Sequence, residues 1–341
     1  MPTTPAPRPS ITPGVPASSR AVVQHAYGTD PAAVLAVETV ATPQPGPGEL
    51  LVRVEAVSLD MGTWHLLSGL PYPVRAAMGL RRPKRQNPVY AGTGVVVAVG
   101  ADVEGDEVGD AVIGVAPGML AEHVVVRADQ AARRAASMSA PEAAGLAVSA
   151  SSALQAVELA EVGPADRVLI TGAAGGVGHY AVQIAAARGA EVTGVCAPHA
   201  ADLVRDLVAS RIIDYTTQEI TDAGASYDVI IDCGGNRPLR LLRRAMARQG
   251  RLVVVGGESG GRVLGGFQRL LQALVVSPLV SQTLRPLTAA DDAEHLAAVT
   301  ALVEAGTLRT AIDSSYPMDD VAAGVARLRE GGLHGKVVVT L

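Results

Sequence analysis

The run Arg167-Val-Leu-Ile-Thr-Gly-Ala-Ala-Gly-Gly-Val-Gly-His-Tyr-Ala-Val-Gln-Ile184 constrains the fold more than any other part of this 341-residue chain. A short apolar strand enters Gly172, Ala173, Ala174, Gly175, Gly176, Val177 and Gly178, and a helix of apolar periodicity follows. Small residues let a backbone approach a pyrophosphate, and a helix N-terminus offers it unpaired N–H groups and the positive end of the helix dipole. Gly178 permits close packing of that helix on its own strand. Strand, glycines and helix in this order predict a dinucleotide-binding turn.

The surrounding texture agrees. Beyond Pro141, helix-like stretches at 143–159, 177–188, 203–209 and 239–247 alternate with strand-like runs at 167–170, 191–195, 229–232 and 251–255. That alternation predicts βαβ units in a doubly wound parallel sheet, an α/β domain. A helix at 293–305 precedes β character at 310–313 and 336–340. From Ala21 to Ser139, short apolar runs at 51–54, 94–99, 111–115 and 122–126 are separated by turn clusters, which predicts a β-rich unit. The first twenty residues hold six prolines and no acid and read as a disordered tail.

Composition excludes several function classes. A net charge of −5 gives no general attraction for nucleic acid. The basic run from Arg75 through Arg81, Arg82, Lys84 and Arg85 lacks interleaved aromatics and reads as a solvated loop that steers an anionic cofactor. Cys196 and Cys233 are too few for a disulfide framework or a four-thiolate zinc lobe, and read as small buried side chains in a reducing compartment. No stretch has the roughly 18 uninterrupted apolar residues of a membrane span, and no secretory signal is evident, so a cytoplasmic location is expected. The apolar segment 263–287 is expected to line a substrate cleft or a dimer contact. Aromatics make up only 3%, so the core must be built from Ala, Val, Leu and Gly.

The strand after the glycine turn ends Val195-Cys-Ala-Pro-His-Ala200, with no carboxylate before Asp202. An NAD site usually has one about 20 residues on, to bond the ribose 2′-OH. Ala197 therefore puts no charge against a 2′-phosphate, and His199, if it is not simply a solvated loop residue, offers a donor, so NADPH is expected over NADH.

The turn in this form, with Pro45-Gly-Pro-Gly-Glu-Leu-Leu-Val-Arg-Val54, Val108-Gly-Asp110, Ala153-Leu-Gln155, Ile212-Ile-Asp-Tyr-Thr216, Gly250-Arg-Leu-Val-Val-Val-Gly256 and Gly335-Lys-Val-Val-Val339, resembles the zinc-independent, quinone oxidoreductase-like (zeta-crystallin-like) branch of the medium-chain dehydrogenase/reductase superfamily. The resemblance runs from about Ala21 to Leu341. It implies a GroES-like catalytic domain over 21–139 and 306–341, a Rossmann domain over 140–305, and a cleft between them. It implies a homodimer that uses NADPH to reduce quinones or α,β-unsaturated carbonyls. Tyr215 matches a family tyrosine beside the 2′-phosphate, and Gly234 and Gly256 match positions along the nicotinamide. Asp60, Tyr90 and Ser151 or Ser152 stand where zinc-dependent relatives carry ligands, so no catalytic zinc is expected.

The segment Val57-Ser-Leu-Asp-Met-Gly-Thr-Trp-His65 departs from the branch, with Asp60 for its usual Asn and Thr63 for its usual Asp. Pro88-Val-Tyr-Ala91 lacks the family's acid. The developing charge on a reduced carbonyl needs a donor, for which Asp60, Thr63, Tyr72 and Tyr90 are the candidates, and Trp64 and His65 are expected to line the pocket. Two other readings stay open: a tailoring enoyl or ketone reductase of polyketide-like biosynthesis, and an NADPH-binding sensor or structural protein without turnover.

Overall fold

The computed structural model describes residues 10–11, 14–222, 224, 226–257 and 261–341. The tail expected over 1–20 does not extend to residue 20 among the described residues. Ser10–Ile11 (β1) pairs antiparallel with a later strand, and Ser18–Gln24 (β2) begins two residues before the expected end of the tail. Residues 1–9, 12 and 13 lie outside the described residues.

β2 forms a hairpin sheet with Leu35–Ala41 (β3), and the single-turn helix Pro31–Val34 (α1) lies between them. The long strand Glu49–Leu59 (β4) leads into two helices that β-type patterning does not announce, Met61–Ser68 (α2) and Pro73–Met78 (α3). Then follow Ala91–Val99 (β5), Ala111–Val115 (β6), His123–Arg127 (β7) and Ala131–Arg133 (β8). The inward residues of β4 and β5, such as Leu50, Val52 and Val96, are buried in one cluster.

Ala140–Leu159 (α4) begins three residues before the apolar pattern does. Ser139 caps it, with its N–H and Oγ donating to Glu142 Oε2 at 2.9 and 2.6 Å, so the start is set by capping polarity. Its buried face is mostly Ala, Gly and Ser, which lets neighbouring backbone approach closely. The parallel sheet then forms from Arg167–Thr171 (β9), Glu191–Cys196 (β10), Arg211–Asp214 (β11), Tyr227–Asp232 (β12), Met246–Val254 (β13) and Thr283–Pro286 (β14), in the order β11-β10-β9-β12-β13-β14. The helices Gly178–Ala187 (α5), Ala201–Asp206 (α6), Leu239–Ala245 (α7), Phe267–Val276 (α8) and Ala293–Glu304 (α9) accompany it. Strand order reverses beside β9, which places a crevice at the C-terminal ends of β9 and β12.

The chain closes with Ile312–Pro317 (β15), Val321–Glu330 (α10) and Lys336–Thr340 (β16). β16 pairs antiparallel with β4, Val337 opposite Leu59, so the last strands belong to the first sheet. The protein is thus a Rossmann-type doubly wound unit inserted into a GroES-like β-rich unit. One of its few rings, Tyr180, is fully buried where the two units meet, its hydroxyl 2.9 Å from Thr310 Oγ1, which in turn donates to Glu142 O. No described helix is long and apolar enough to cross a membrane.

Candidate cofactor and substrate cleft

The crevice at the strand ends opens into a cleft of about 770 Å3 walled by both units. On the Rossmann side, β9 ends at Thr171, and Gly172 turns the chain with φ +64°, a conformation that L side chains rarely adopt. A Cβ at Gly178 would lie 2.0 Å from Gly172 O, so only glycine lets α5 start this close to its strand. The backbone amides of Gly176, Val177 and Gly178 donate to no acceptor among the described residues. Three unsatisfied N–H groups at a helix start form a cradle for an anion.

A cation faces the same turn. Lys336, at the start of β16, is 2% exposed, and its Nζ donates to Ser149 Oγ at 2.7 Å. No carboxylate lies within 4 Å of it among the described residues. Burial pushes its ammonium pKa below the ordinary lysine range, only partly opposed by the charge of Asp60. A Cβ at Gly176 would sit 3.7 Å from Nζ, so the amine and the amide cradle address one volume. A buried ammonium without a counter-ion is costly, and a diphosphate in the cradle would supply one. The fit to a dinucleotide therefore rests on charge as well as on shape. Beneath the turn, fully buried His179 donates Nδ1–H to Gly175 O at 2.8 Å and leaves Nε2 without a partner. Burial lowers its pKa to about 3, so it is neutral at physiological pH.

Further along the sheet, Thr171 Oγ1 donates to Asp232 Oδ1 at 2.6 Å and accepts the N–H of Gly234 at 3.0 Å. Arg269 of α8 is ion-paired with the other oxygen of this fully buried carboxylate. The pair fixes the loop after β12, whose Cys233 and Gly234 line the cleft opposite Gly256. Burial pushes the Cys233 thiol well above its usual pKa, so it stays protonated.

The end of β10 supplies Ala197 and His199, with Tyr215 beside them at the end of β11. His199 Nε2–H donates to Gly332 O at 3.2 Å, and His334 Nε2–H donates to His199 O at 3.1 Å. The two imidazoles meet edge-on at 4.9 Å across the boundary between the units. Of the turn and cofactor residues expected from sequence, Gly172, Ala174, Gly175, Gly176, Val177, Gly178, Ala197, His199, Tyr215, Gly234 and Gly256 line the cleft. Ala173 does not: it is fully buried, its N–H bonded to Val195 O, and acts as packing under the turn.

The substrate side is less as expected. Asp60 and Thr63 line the cleft, but both are engaged in capping α2. Thr63 N–H donates to Asp60 Oδ1 at 3.0 Å, and Thr63 is 2% exposed. Tyr90 lines the cleft, with its hydroxyl oxygen accepting from Arg85 at 2.7 Å. Tyr72 lies outside it, 47% exposed, because Arg75 draws its ring outward; the guanidinium stands 5.4 Å from the ring centroid and bonds Gly69 O and Ser68 O. Trp64 also misses the main cleft and lines an adjoining chamber, whereas His65 lines both. Arg75 and Arg85 are thus structural partners within the basic run, while Arg81, Arg82 and Lys84 are exposed. From the apolar segment 263–287, Phe267, Leu270 and Leu287 reach the cleft.

Sequence reasoning passed over Lys336, Ser149 and Asp291. Asp291 lies on the wall near Asp60, and burial, with the charges of Asp60 and Asp292, raises its carboxyl pKa. Lysine's rarity, with only Lys84 and Lys336 in the chain, was the one available signal.

Comparison with known proteins decides the family. Residues 46–136 match the alcohol dehydrogenase GroES-like domain, and residues 207–339 match the zinc-binding dehydrogenase family. A chloroplastic quinone oxidoreductase, QR1 of Triphysaria versicolor, is 32% identical, over 94% of this chain and 98% of its own. The chain belongs to the quinone oxidoreductase-like medium-chain dehydrogenases/reductases. The human mitochondrial NAD(P)H oxidoreductase RTN4IP1 is 28% identical, over 86% of this chain and 82% of its own. The structure of a Coxiella burnetii quinone oxidoreductase superposes with a TM-score of 0.82 at 26% identity, covering 95% of this chain and 99% of that one. As a medium-chain dehydrogenase/reductase, the protein is an oxidoreductase of nicotinamide-cofactor type. The glycine turn and Lys336 are the parts of its cleft suited to such a cofactor.

Proposed function

We propose that the protein is an NADPH-dependent, zinc-free reductase of quinones or α,β-unsaturated carbonyls. The observation that carries this reading is the shared cleft, in which the amide cradle of the Rossmann unit meets the buried Lys336 ammonium, Asp60 and Tyr90 of the β-rich unit. The quinone oxidoreductases among its relatives support the substrate class. Zinc independence is supported by the donor set, since Asp60, Tyr90, Ser151 and Ser152 include neither a thiolate nor an imidazole. No described group of three or more His, Cys, Asp or Glu is arranged to hold a metal ion.

Preference for NADPH is supported by the end of β10, where Ala197 and His199 stand instead of a carboxylate. Asp202, the next acid along the chain, is turned to solvent and paired with Arg205 at 2.6 Å, while Asp214, level with Cys196 on the neighbouring strand β11, accepts from Thr216 and Thr217. Tyr215 lies beside the position and offers a hydroxyl donor, while the Nε2–H groups of His199 and His334 are given to Gly332 O and His199 O.

When bound, the cofactor supplies a hydride. The amide N–H groups and Lys336 would hold its diphosphate, while the loop at Cys233–Gly234, clamped through Thr171, Asp232 and Arg269, shapes another part of the cleft. Arg85 occupies the oxygen of Tyr90, which leaves the phenol proton to donate to the substrate oxygen that gains charge. Hydride and one proton complete either reduction: a quinone takes that proton on oxygen, from Tyr90 with solvent restoring the phenol, and an enone takes it at the α-carbon.

The outward apolar strip of α8, including Leu271, Leu274 and Val275, lies beside the edge strand β14 and is the proposed face of a homodimer. Sedimentation of Leu274→Glu, which is expected to run as a monomer, tests it.

The function is tested by titrating the purified protein with NADPH and NADH, then following NADPH oxidation with quinones, enones and enoyl thioesters. Oxidation by quinones or enones is expected. Preference for enoyl thioesters selects a tailoring reductase, and tight binding without oxidation selects a non-catalytic sensor. Stronger binding of NADH overturns the reading of the β10 end.

A further inference from the structure

A second chamber of about 650 Å3 adjoins the main cleft and shares His65, Pro71, Gly257 and Gly266 with it. Its outer wall carries Trp64, Arg262 and Arg329. The Arg329 guanidinium stands 4.4 Å from the Trp64 ring centroid, a cation–π stack that orders a side chain otherwise rich in rotamers. Most arginines of this protein engage a carboxylate, a hydroxyl or a backbone carbonyl, but neither Arg262 nor Arg329 has a hydrogen-bond or ion-pair partner for its side chain among the described residues. Glu330, the one acid among the described residues of the wall, stands 3.5 Å from Arg327, which is itself held by Asp313 at 2.8 Å.

A guanidinium held over a ring, with no other side-chain partner among the described residues, has N–H groups left for a carboxylate or phosphate, which an arginine binds bidentately. Among the described residues the chamber thus carries two guanidinium groups against one carboxylate, and its principal cation rests on a ring before any ligand arrives.

We propose that this chamber binds an oxyanion at the far end of the substrate, so that the preferred substrate is an electron-poor alkene or quinone bearing a remote carboxylate or phosphate, with Arg329 as the specificity-determining residue and Arg262 in support. The proposal rests on the reductase reading for what happens at the reducible bond, but not for binding. Trp64, the only tryptophan in the chain, reports on the chamber directly.

Two pairs of probes separate the sources of the charge. A cyclohexenone carrying a carboxybutyl chain is compared with its methyl ester. A hexenoyl coenzyme A thioester is compared with the hexenoyl N-acetylcysteamine thioester, which lacks phosphates. Each is titrated against Trp64 fluorescence in the presence of NADPH and, where it turns over, followed for KM and kcat. The charged member of at least one pair is expected to bind about 10-fold tighter than its neutral partner, in line with a charge-assisted contact. Arg329→Ala should remove that difference by raising KM and the dissociation constant for the charged probe alone, and Arg329→Lys should restore part of it. An advantage for the carboxylate alone assigns a free acid, and one for the thioester alone assigns a carrier phosphate. Equal binding within both pairs, unchanged by Arg329→Ala, overturns the proposal even if both neutral probes are reduced. Charge discrimination in fluorescence without any turnover supports the chamber and overturns the reductase reading instead.

Discussion

The two walls of the cleft are built on different principles. The Rossmann wall works through its backbone: Gly172 and Gly178 set the path, three amides face the cleft, and side chains such as Ala173 merely pack beneath. The wall from α2 and α3 works through side chains, and most of these are committed to each other. Asp60 and Thr63 cap a helix and Arg85 takes the Tyr90 oxygen, while outside the main cleft Arg75 gathers Tyr27 and Tyr72 and Arg329 covers Trp64. A backbone site tolerates only glycine at a few positions, whereas a side-chain site can change its ligand by releasing one contact. The cofactor wall is thus expected to fail all at once, and the substrate wall to be retuned by degrees.

The largest effect is expected at Gly178. Gly178→Val must displace Gly172 O, with an overpacking cost of about 1–3 kcal/mol, and should abolish measurable NADPH binding in a titration while lowering the melting temperature. Retained affinity would break the contrast between the walls. Tyr90→Phe comes next: loss of a donor to the developing oxyanion should lower kcat roughly 100-fold with cofactor affinity unchanged. An unchanged kcat would leave solvent as the only proton source.

Lys336→Met should weaken NADPH binding about 10-fold or more, read by calorimetry. Because that ammonium has no carboxylate partner among the described residues, the same variant should be no less stable than the parent in thermal unfolding without cofactor. His179, under the glycine turn, gives a pH-dependent counterpart. Its folded pKa of about 3 lies below the 6.5 of an unperturbed histidine, so between these values the unfolded chain takes up a proton that the folded protein does not. Stability should therefore fall as pH drops from 6.5 towards 3, and His179→Gln should flatten that limb of a melting-temperature profile. Smallest is Thr63→Ala, which removes half of a capping box: about 1 kcal/mol of stability, with kcat within about twofold.

This contrast also explains what could be read without a structure. The glycine turn was legible because backbone geometry restricts residue type, and the alternation of strands and helices placed it in a parallel sheet. β5 and β6 were legible as apolar runs between turns. Helices α2 and α3 were not, since eight and six residues carry too little periodicity to stand out within a β-rich stretch. Asp60, Thr63 and Tyr90 were found by their chemistry, but capping and the Arg85 contact, which decide what each can do, depend on distances that no spacing encodes. Tyr72 and Trp64 were placed in the main cleft by segment, and their arginine partners hold them elsewhere. Lys336 was missed because its role comes from β16 lying against β4, which brings it opposite a glycine turn far away in sequence.

That pairing has a consequence for how the protein is made. While a ribosome is still extending the chain, β4 has its neighbours β5 and β7 but lacks β16, which is synthesised only after the entire nucleotide-binding unit. The first unit to emerge therefore waits with an open strand edge for the last, and the cation facing the glycine turn arrives with the closing strand. Capture of the cofactor and completion of the fold become one late event, so nascent chains halted before β16 are expected to be both unable to hold a dinucleotide and prone to pair through β4.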